Sequence, residues 1–257
     1  MISVIIPTYK EPEFLDLCIK SALAGQEGSN ELIVVVDGYY DLNKKVLDEY
    51  SGQIKVYDLG TNQGLSAATN WGVYHATCSN ILVVNDDNVF PKGWDTELEK
   101  FIKRGRVVTP NQIEPTPSMF KQFHIKNLGT DISEFNLEQF WDYEKSLGKP
   151  FPDFTGSTLP FAMTKLDFLS VGGWDVMYPS PHVVDWDFFT KCEYHGFEMM
   201  RIYKHFYHFA SIATRGNVER NKISAKKEEL AHYFFYTKWG TPAEHNRETN
   251  SKALSIF

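Results

Sequence analysis

In the first 84 residues, short apolar runs alternate with stretches of helical periodicity, and that alternation leaves few folds open. Residues 2–6, 32–36, 54–57 and 81–84 are rich in β-branched side chains and read as buried strands. Pro7 stops the first of them. Residues 11–23 carry Phe14, Leu15, Cys18, Ile19, Ala22 and Leu23 at helical spacing. Asp41 can cap a second helix with Leu42, Val46, Leu47 and Tyr50 on one face, and residues 64–77 read as a third. Strand-helix alternation of this kind predicts an α/β fold, a mixed and mostly parallel sheet flanked by helices, because parallel neighbours need crossover helices.

The fourth strand breaks abruptly into Asn85-Asp86-Asp87-Asn88. Two amides and two carboxylates cannot stay unpaired inside a buried strand, so they belong at its C-terminal end, facing a cleft. In an open α/β sheet that edge binds ligands. Adjacent carboxylates repel unless a cation sits beside them, and hard oxygen ligands suit Mg²⁺ or Mn²⁺ bridging to phosphates. Asp and Asn are also ordinary turn residues, so the run alone leaves both readings open. The chain has no G-x-G-x-x-G after the first strand and no G-x-x-x-x-G-K-[ST] anywhere. Phosphates would have to be held otherwise, and Asp86-Asp87 with a metal is the available candidate. A net charge of −7 without a basic stripe argues against nucleic acid as a partner.

A length of 257 residues allows one large domain or two small ones. Cys18, Cys78 and Cys192 lie far apart without a CxxC pair and read as reduced thiols of a cytoplasmic protein. No signal peptide is read before the first strand, and no apolar stretch is long enough to span a bilayer. Beyond Trp94, an amphipathic helix with Leu98, Phe101 and Ile102 is expected, then a short strand at 107–108 and a long loop over 110–133. A helix over 136–147, a strand over 159–163 and a short helix ended by Gly172-Gly173 follow. Residues 182–194 contain Asp185-Trp186-Asp187, two final strands cover 199–203 and 206–210, and a helix over 223–239 stops at Gly240. The last residues read as frayed. Lys226, Lys227 and Lys238 flank Tyr233 to Tyr236 and Trp239, a composition that suits peripheral membrane contact. Four consecutive aromatics cannot share one helix face, however, so packing on the domain competes with that reading.

Taken together these motifs resemble the GT-A-fold glycosyltransferases of family 2, the inverting, nucleotide-sugar-dependent kind. Val4-Ile5-Ile6-Pro7-Thr8-Tyr9 resembles the opening strand and loop that border the nucleotide base. Val34-Val35-Val36-Asp37-Gly38 is similar to the second strand, whose terminal Asp contacts the base. The run from Asn62 through Gly64 to Asn70 and Gly72 looks like the family's Asn-Gly-rich lead-in to the third helix. Asn85-Asp86-Asp87 stands where the family keeps its DxD metal motif. Gly172-Gly173-Trp174-Asp175 resembles the turn beside the acceptor, and Val184-Asp185-Trp186-Asp187 the Glu-Asp-x-Asp segment that carries the catalytic base. His208 stands where many members place a late His near the metal, with His205 close by in sequence. The resemblance covers roughly residues 2–215, and the joint order of the motifs makes it specific.

The resemblance implies a role for each matched residue. Pro7, Thr8, Tyr9, Asp37, Asn62, Asn70 and Asp86 would contact the donor, Asp87 and His208 would hold Mn²⁺ or Mg²⁺, and Asp185 would be the base. Asp185 and Asp187 cannot share one helix face, so only one can point into the cleft; family position selects Asp185, and an N-cap remains its competing reading. Asn85 replaces the first Asp of a strict DxD, which moves the metal role onto Asp87 and Asp86 toward the ribose or a water. Asp37 stands alone where many members have two acidic residues, and Val184 replaces the usual Glu before the base. The expectation is a single GT-A-like domain: residues 1–95 bind the nucleotide sugar, a UDP-sugar being favoured. Residues 96–213 bind a saccharide or glycoconjugate acceptor, and 214–257 form a helix and tail. A sugar-phosphate nucleotidyltransferase would need a Gly-rich basic loop after the first strand, where this chain has Pro7-Thr8-Tyr9-Lys10. A non-catalytic nucleotide-sugar-binding module would not be expected to keep both Asp87 and Asp185.

Overall fold

The computed structural model describes residues 1–117, 123–153, 158–209 and 218–243. The expectations for Ala210 and for the frayed end lie outside them.

β1 (Ile2–Thr8) is buried along its whole length and β2 (Glu31–Val36) past its first residue. Strands covered on both faces tolerate a polar side chain only with a partner. Ser3 meets that condition by donating to Glu31 and accepting from the Cys78 N–H at 3.1 Å. α1 (Pro12–Gly25) opens on a proline and buries Phe14, Leu15, Cys18, Ile19 and Ala22, the face its spacing predicted. α2 (Tyr40–Glu49) differs at its start. Its N-cap is Tyr39, held in the left-handed region at φ 58°, and Asp41 lies inside the first turn. β3 (Lys55–Asp58), α3 (Leu65–His75) and β4 (Asn80–Val83) complete the alternation. α3 lies close on β1: a Cβ at Gly72 would sit 2.4 Å from Ile5 Cγ2.

The chain continues through β5 (Asn88–Val89), α4 (Trp94–Glu99), β6 (Arg106–Glu114), β7 (His124–Ile125) and α5 (Leu137–Ser146). Then come β8 (Phe161–Thr164), α6 (Lys165–Ser170), α7 (Val184–Tyr194), β9 (Glu198–His208) and α8 (Val218–Trp239). The strands form one sheet in the order β3-β2-β1-β4-β8-β6-β9-β5, with β7 beside β6. β8 runs antiparallel to both β4 and β6, so β4 and β6 point the same way, and β9 is parallel to β6. The C-terminal ends of β1, β2, β4, β6 and β9 therefore share one edge of the sheet.

Two strand expectations need correction. The long loop over 110–133 is in part β6, which runs on to Glu114. Pro110 sits within it at a register shift, where Ile202 pairs with Pro110 but His205 with Asn111. A bulge accommodates a residue with no N–H to give. The polar Asn111 and Gln112 disguised the strand; both are buried, and Gln112 Nε2 donates to the Leu159 carbonyl at 2.7 Å. The two short strands expected at 199–203 and 206–210 are one strand, β9, continuing through the same bulge.

One face of the sheet packs Ile5, Val35, Val83, Phe161 and Met199 under α3, α6, α7 and Phe235 of α8. The other packs Val4, Ile6, Val34, Leu82, Ala162 and Met200 under α1 and α4. Both cores draw on early and late parts of the chain. The α8 aromatics divide: Phe235 is buried, Phe234 packs edge-on against Tyr178 at 4.8 Å, and Tyr233 and Tyr236 are exposed. Among the described residues no helix is long and apolar enough to cross a membrane.

Candidate active site

The shared sheet edge gathers the polar residues singled out from the sequence. The Val84 N–H binds the Ile5 carbonyl at 3.1 Å, after which the chain leaves β4 and presents Asp86 and Asp87. Thr8, at the end of β1, donates its hydroxyl to Asp86 Oδ2 at 2.7 Å. Burial, reinforced by the charge of Asp87, pushes the Asp86 carboxyl up to about 7. For Asp87 burial works in the same direction, but the His208 imidazolium outweighs it and holds the carboxyl below the usual range. His208 Nε2 lies 3.5 Å from Asp87 Oδ2, and its Nδ1 lies 2.9 Å from Glu114 Oε1. Burial disfavours the charged ring, yet these two carboxylates raise it to about 10.

This donor set fits a hard divalent cation. A buried carboxylate that keeps its proton to about pH 7 beside an ionised one is a pair short of positive charge. An imidazole with a carboxylate on one nitrogen, its other nitrogen facing a second carboxylate, is a common ligand arrangement. Among the described residues no three His, Cys, Asp or Glu side chains converge as a cage. Asp87 and His208 therefore suit an ion that completes its shell with phosphate oxygens and water, as Mg²⁺ and Mn²⁺ do.

Asp37 ends β2 and is buried. It accepts the Gln63 N–H at 2.5 Å and the Gly64 N–H at 2.9 Å, so one lone pair of each oxygen already fixes the loop into α3. The carboxylate expected to read a base is first of all a loop anchor. Asn62 is exposed in that loop, its backbone against Gly38, where a Cβ would lie 3.1 Å from the Asn62 nitrogen. Beyond Pro7, Tyr9 meets Tyr39 edge to face at 5.1 Å, and the Lys10 ammonium lies over both rings at 4.8 and 4.2 Å.

Asn70 does not join this group. Its Oδ1 accepts from the Trp174 N–H and its Nδ2 donates to the Trp174 carbonyl, both at 2.8 Å. The side-chain amide thus clasps the Gly-Gly-Trp-Asp turn to α3. Gly173 is required there, at φ 63° with a Cβ position only 2.7 Å from Asn70 Oδ1. Replacing Asn70 by Ala strands two backbone groups and should cost about 1–3 kcal/mol. We expect a lower melting temperature with unchanged donor affinity of the folded variant; a selective loss of donor affinity would return Asn70 to the donor pocket.

Asp185 and Asp187 occupy different surroundings. The N-cap of α7 is Val183 at φ 59°, so Asp185 stands in the first turn, half-buried, and is not the cap. Asp187 is fully buried. Its Oδ1 takes the Trp239 indole N–H at 2.8 Å, the Tyr178 hydroxyl at 3.1 Å and the Lys238 ammonium at 2.8 Å. Lys238 also reaches Asp175 at 2.7 Å, which joins α8 to the same turn. α7 ends a few residues before β9 begins at the far edge of the sheet. An eleven-residue helix spans about 16 Å, and Val184, Phe188 and Phe189 of α7 pack in the same core as Phe161 and Val83 of the sheet.

Sequence reasoning missed Glu114, which lies in the stretch read as loop. The spacing of Val107, Thr109, Asn111 and Ile113 was the available signal, obscured by its polar members. It also passed over Tyr39, whose left-handed backbone no local pattern announces.

Residues 3–162 match the family model described as Glycosyl transferase family 2. The chain is 26% identical over 145 residues to a cholesterol galactosyltransferase of Borreliella burgdorferi, covering 55% of this chain and 38% of that protein. It is 32% identical over 91 residues to the uncharacterized glycosyltransferase EpsJ of Bacillus subtilis, covering 34% of this chain and 26% of that one. It thus spans well under half the length of these relatives. Among solved structures, TarS from S. aureus (residues 1–349) superposes with a TM-score of 0.58 at 14% identity, covering 99% of this chain and 74% of that one. The structure of the same TarS fragment in complex with UDP gives 0.57, again at 14% identity, over 95% and 73% of the two chains. The family match runs from β1 into β8 and takes in β1, β2, β4 and β6 of the Asp86-Asp87 edge, though not β9, and TarS superposes over nearly the whole chain: the chain belongs to glycosyl transferase family 2 and carries the GT-A fold.

Proposed function

We propose that the protein moves a sugar from a nucleoside-diphosphate sugar, UDP-linked by preference, to a hydroxyl of a saccharide or glycoconjugate, with inversion. The observation that carries this reading is the meeting of Asp87, His208 and Asp86 at the C-terminal edge of the sheet. The existence of a TarS complex with UDP supports the choice of nucleotide. Residues 1–95 would bind the donor, 96–213 the acceptor, and α8 would brace α7 through Trp239 and Lys238.

Asp185 takes the proton of the acceptor hydroxyl onto its carboxylate as that oxygen attacks the anomeric carbon. The bond from that carbon to the diphosphate oxygen breaks with its electron pair, and the nucleoside diphosphate leaves from the opposite face. One displacement gives one inversion. Asp87 and His208 would hold Mn²⁺ or Mg²⁺, with Asp86 beside the ribose or a water. The ion supplies positive charge where the leaving diphosphate gains negative charge. Thr8 orients Asp86, and Asp37 keeps the loop before α3 in place.

Calorimetric titration of UDP, GDP and dTDP tests the reading. We expect UDP to bind tightly with Mn²⁺ and weakly in EDTA. Equal affinity in both conditions for every tight binder would remove the metal role. The pH dependence has a definite sign. Asp86 holds its proton below about 7 and His208 below about 10; coordination by His208 would require the loss of its proton, and a cation nearby would favour loss of the one on Asp86. Mn²⁺ affinity should therefore rise from pH 6 to pH 8, with net proton release visible in buffers of different ionisation enthalpy.

A further inference from the structure

We propose that Glu114 is a positioning residue, which holds the His208 ring so that Nε2 is aimed at Asp87 and at a divalent cation there. The inference rests on the metal-assisted reading above and assigns a part to a residue outside the family motifs. Three adjacent strands set the geometry through their backbones. Val89 pairs with Tyr207 and Tyr207 with Ile113, while Asn88 pairs with His208. One step on from Ile113, β6 ends at Glu114, beside the last residue of β9. The Glu114 side chain is buried, and its Oε1 lies 2.9 Å from His208 Nδ1.

A carboxylate at that distance fixes a ring that would otherwise turn about its side-chain bonds. It accepts the Nδ1 proton, so the lone pair available for coordination is the one on Nε2. Nε2 is also the nitrogen that faces Asp87, at 3.5 Å. Glu114 thus selects which nitrogen is presented and in which direction, without needing to touch the ion. A purely structural ion pair at the end of β6 would make the same contact with His208, so the test must read metal binding separately from stability.

Mn²⁺ binding is followed by the loss of the free-ion electron paramagnetic resonance signal, with and without UDP, alongside melting curves. Partners that hold a metal-binding histidine in this way typically change metal affinity about 10–100-fold. We expect Glu114→Ala to weaken Mn²⁺ binding within that range and Glu114→Gln, which keeps the shape and an acceptor oxygen, to weaken it less. In a His208→Ala background, Glu114→Ala should add little further loss, because the ring it positions is gone. Should Glu114→Ala fail to fold, Glu114→Gln carries the comparison. Unchanged Mn²⁺ affinity in the folded Glu114 variants, with His208→Ala impaired, overturns the positioning role and leaves the metal reading standing. Wild-type protein that takes up no Mn²⁺ even with UDP overturns both.

Discussion

Asp185→Asn is expected to lower turnover about 10²–10⁴-fold while donor affinity, metal affinity and melting temperature stay near those of the unmodified protein. The substitution keeps the shape of the side chain and removes its ability to take up the acceptor proton. Asp185 is half-buried in the first turn of α7 and is not the helix cap, so no capping bond is lost with it. A carboxylate near a helix N-terminus contributes about 0.3–1 kcal/mol to stability. Asp87→Asn should behave differently, weakening donor binding and turnover together, because under the proposed reading it would remove a charged ligand of the divalent ion. The comparison requires donor affinity, melting temperature and turnover for both variants with a working acceptor. An Asp185→Asn enzyme that retains most of its turnover would take Asp185 out of the mechanism.

Asp187→Ala is expected to cost about 3–5 kcal/mol of stability, the usual penalty for removing one partner of a buried charge cluster. In a chain of this size that corresponds to roughly 10 °C or more in melting temperature. Asp187 is fully buried, and a single oxygen serves Trp239, Tyr178 and Lys238. Burial followed by the Asp187 charge raises the Tyr178 phenol, so that hydroxyl remains a donor across the whole working range. Without the carboxylate, Lys191, 3.7 Å from Asp187 Oδ2, and Lys238 lose the negative charge between them, and α8 loses a tie to α7. Limited proteolysis should then release α8 ahead of the sheet. A melting temperature within about 2 °C of the parent would show that α8 is held by its apolar contacts instead. Should Asp187→Asn abolish turnover at full stability, with Asp185→Asn active, the base would lie on the other face of α7.

Much of the fold was legible because its central strands are apolar at nearly every position, Ser3 excepted. Residues 2–6, 32–36 and 81–84 can be little else, and the crossover rule then arranges them. The DxD-like run was legible for the same reason: polar residues that end an apolar strand have to face solvent or a ligand. β6 was not legible, because its buried Asn111 and Gln112 depend on tertiary partners, and Pro110 imitates a loop until the bulge in β9 is seen. Asn70 illustrates the opposite case. Its place in a family-like segment suggested the donor, whereas its amide is consumed by the backbone of Trp174, a partner no local pattern reveals. Asp37 lies between these cases, since its position at a strand end was right and its hydrogen bonds to Gln63 and Gly64 belong to the fold. Glu114 became visible only through strand register.

The insertion of β9 between β6 and β5 also has a bearing on synthesis. Val89 finds its partner only when Tyr207 arrives, and Asp87 meets His208 only then. A nascent chain on the ribosome would complete β1 to β4 early but leave β5 and one side of β6 as open edges until nearly all of the sheet had emerged. Closure late in the sequence raises contact order, so folding should be slow relative to local helix formation, with those edges exposed to aggregation in the interval. The same order of events keeps the carboxylate edge incomplete during translation, and donor turnover would begin only once the last strand is in place.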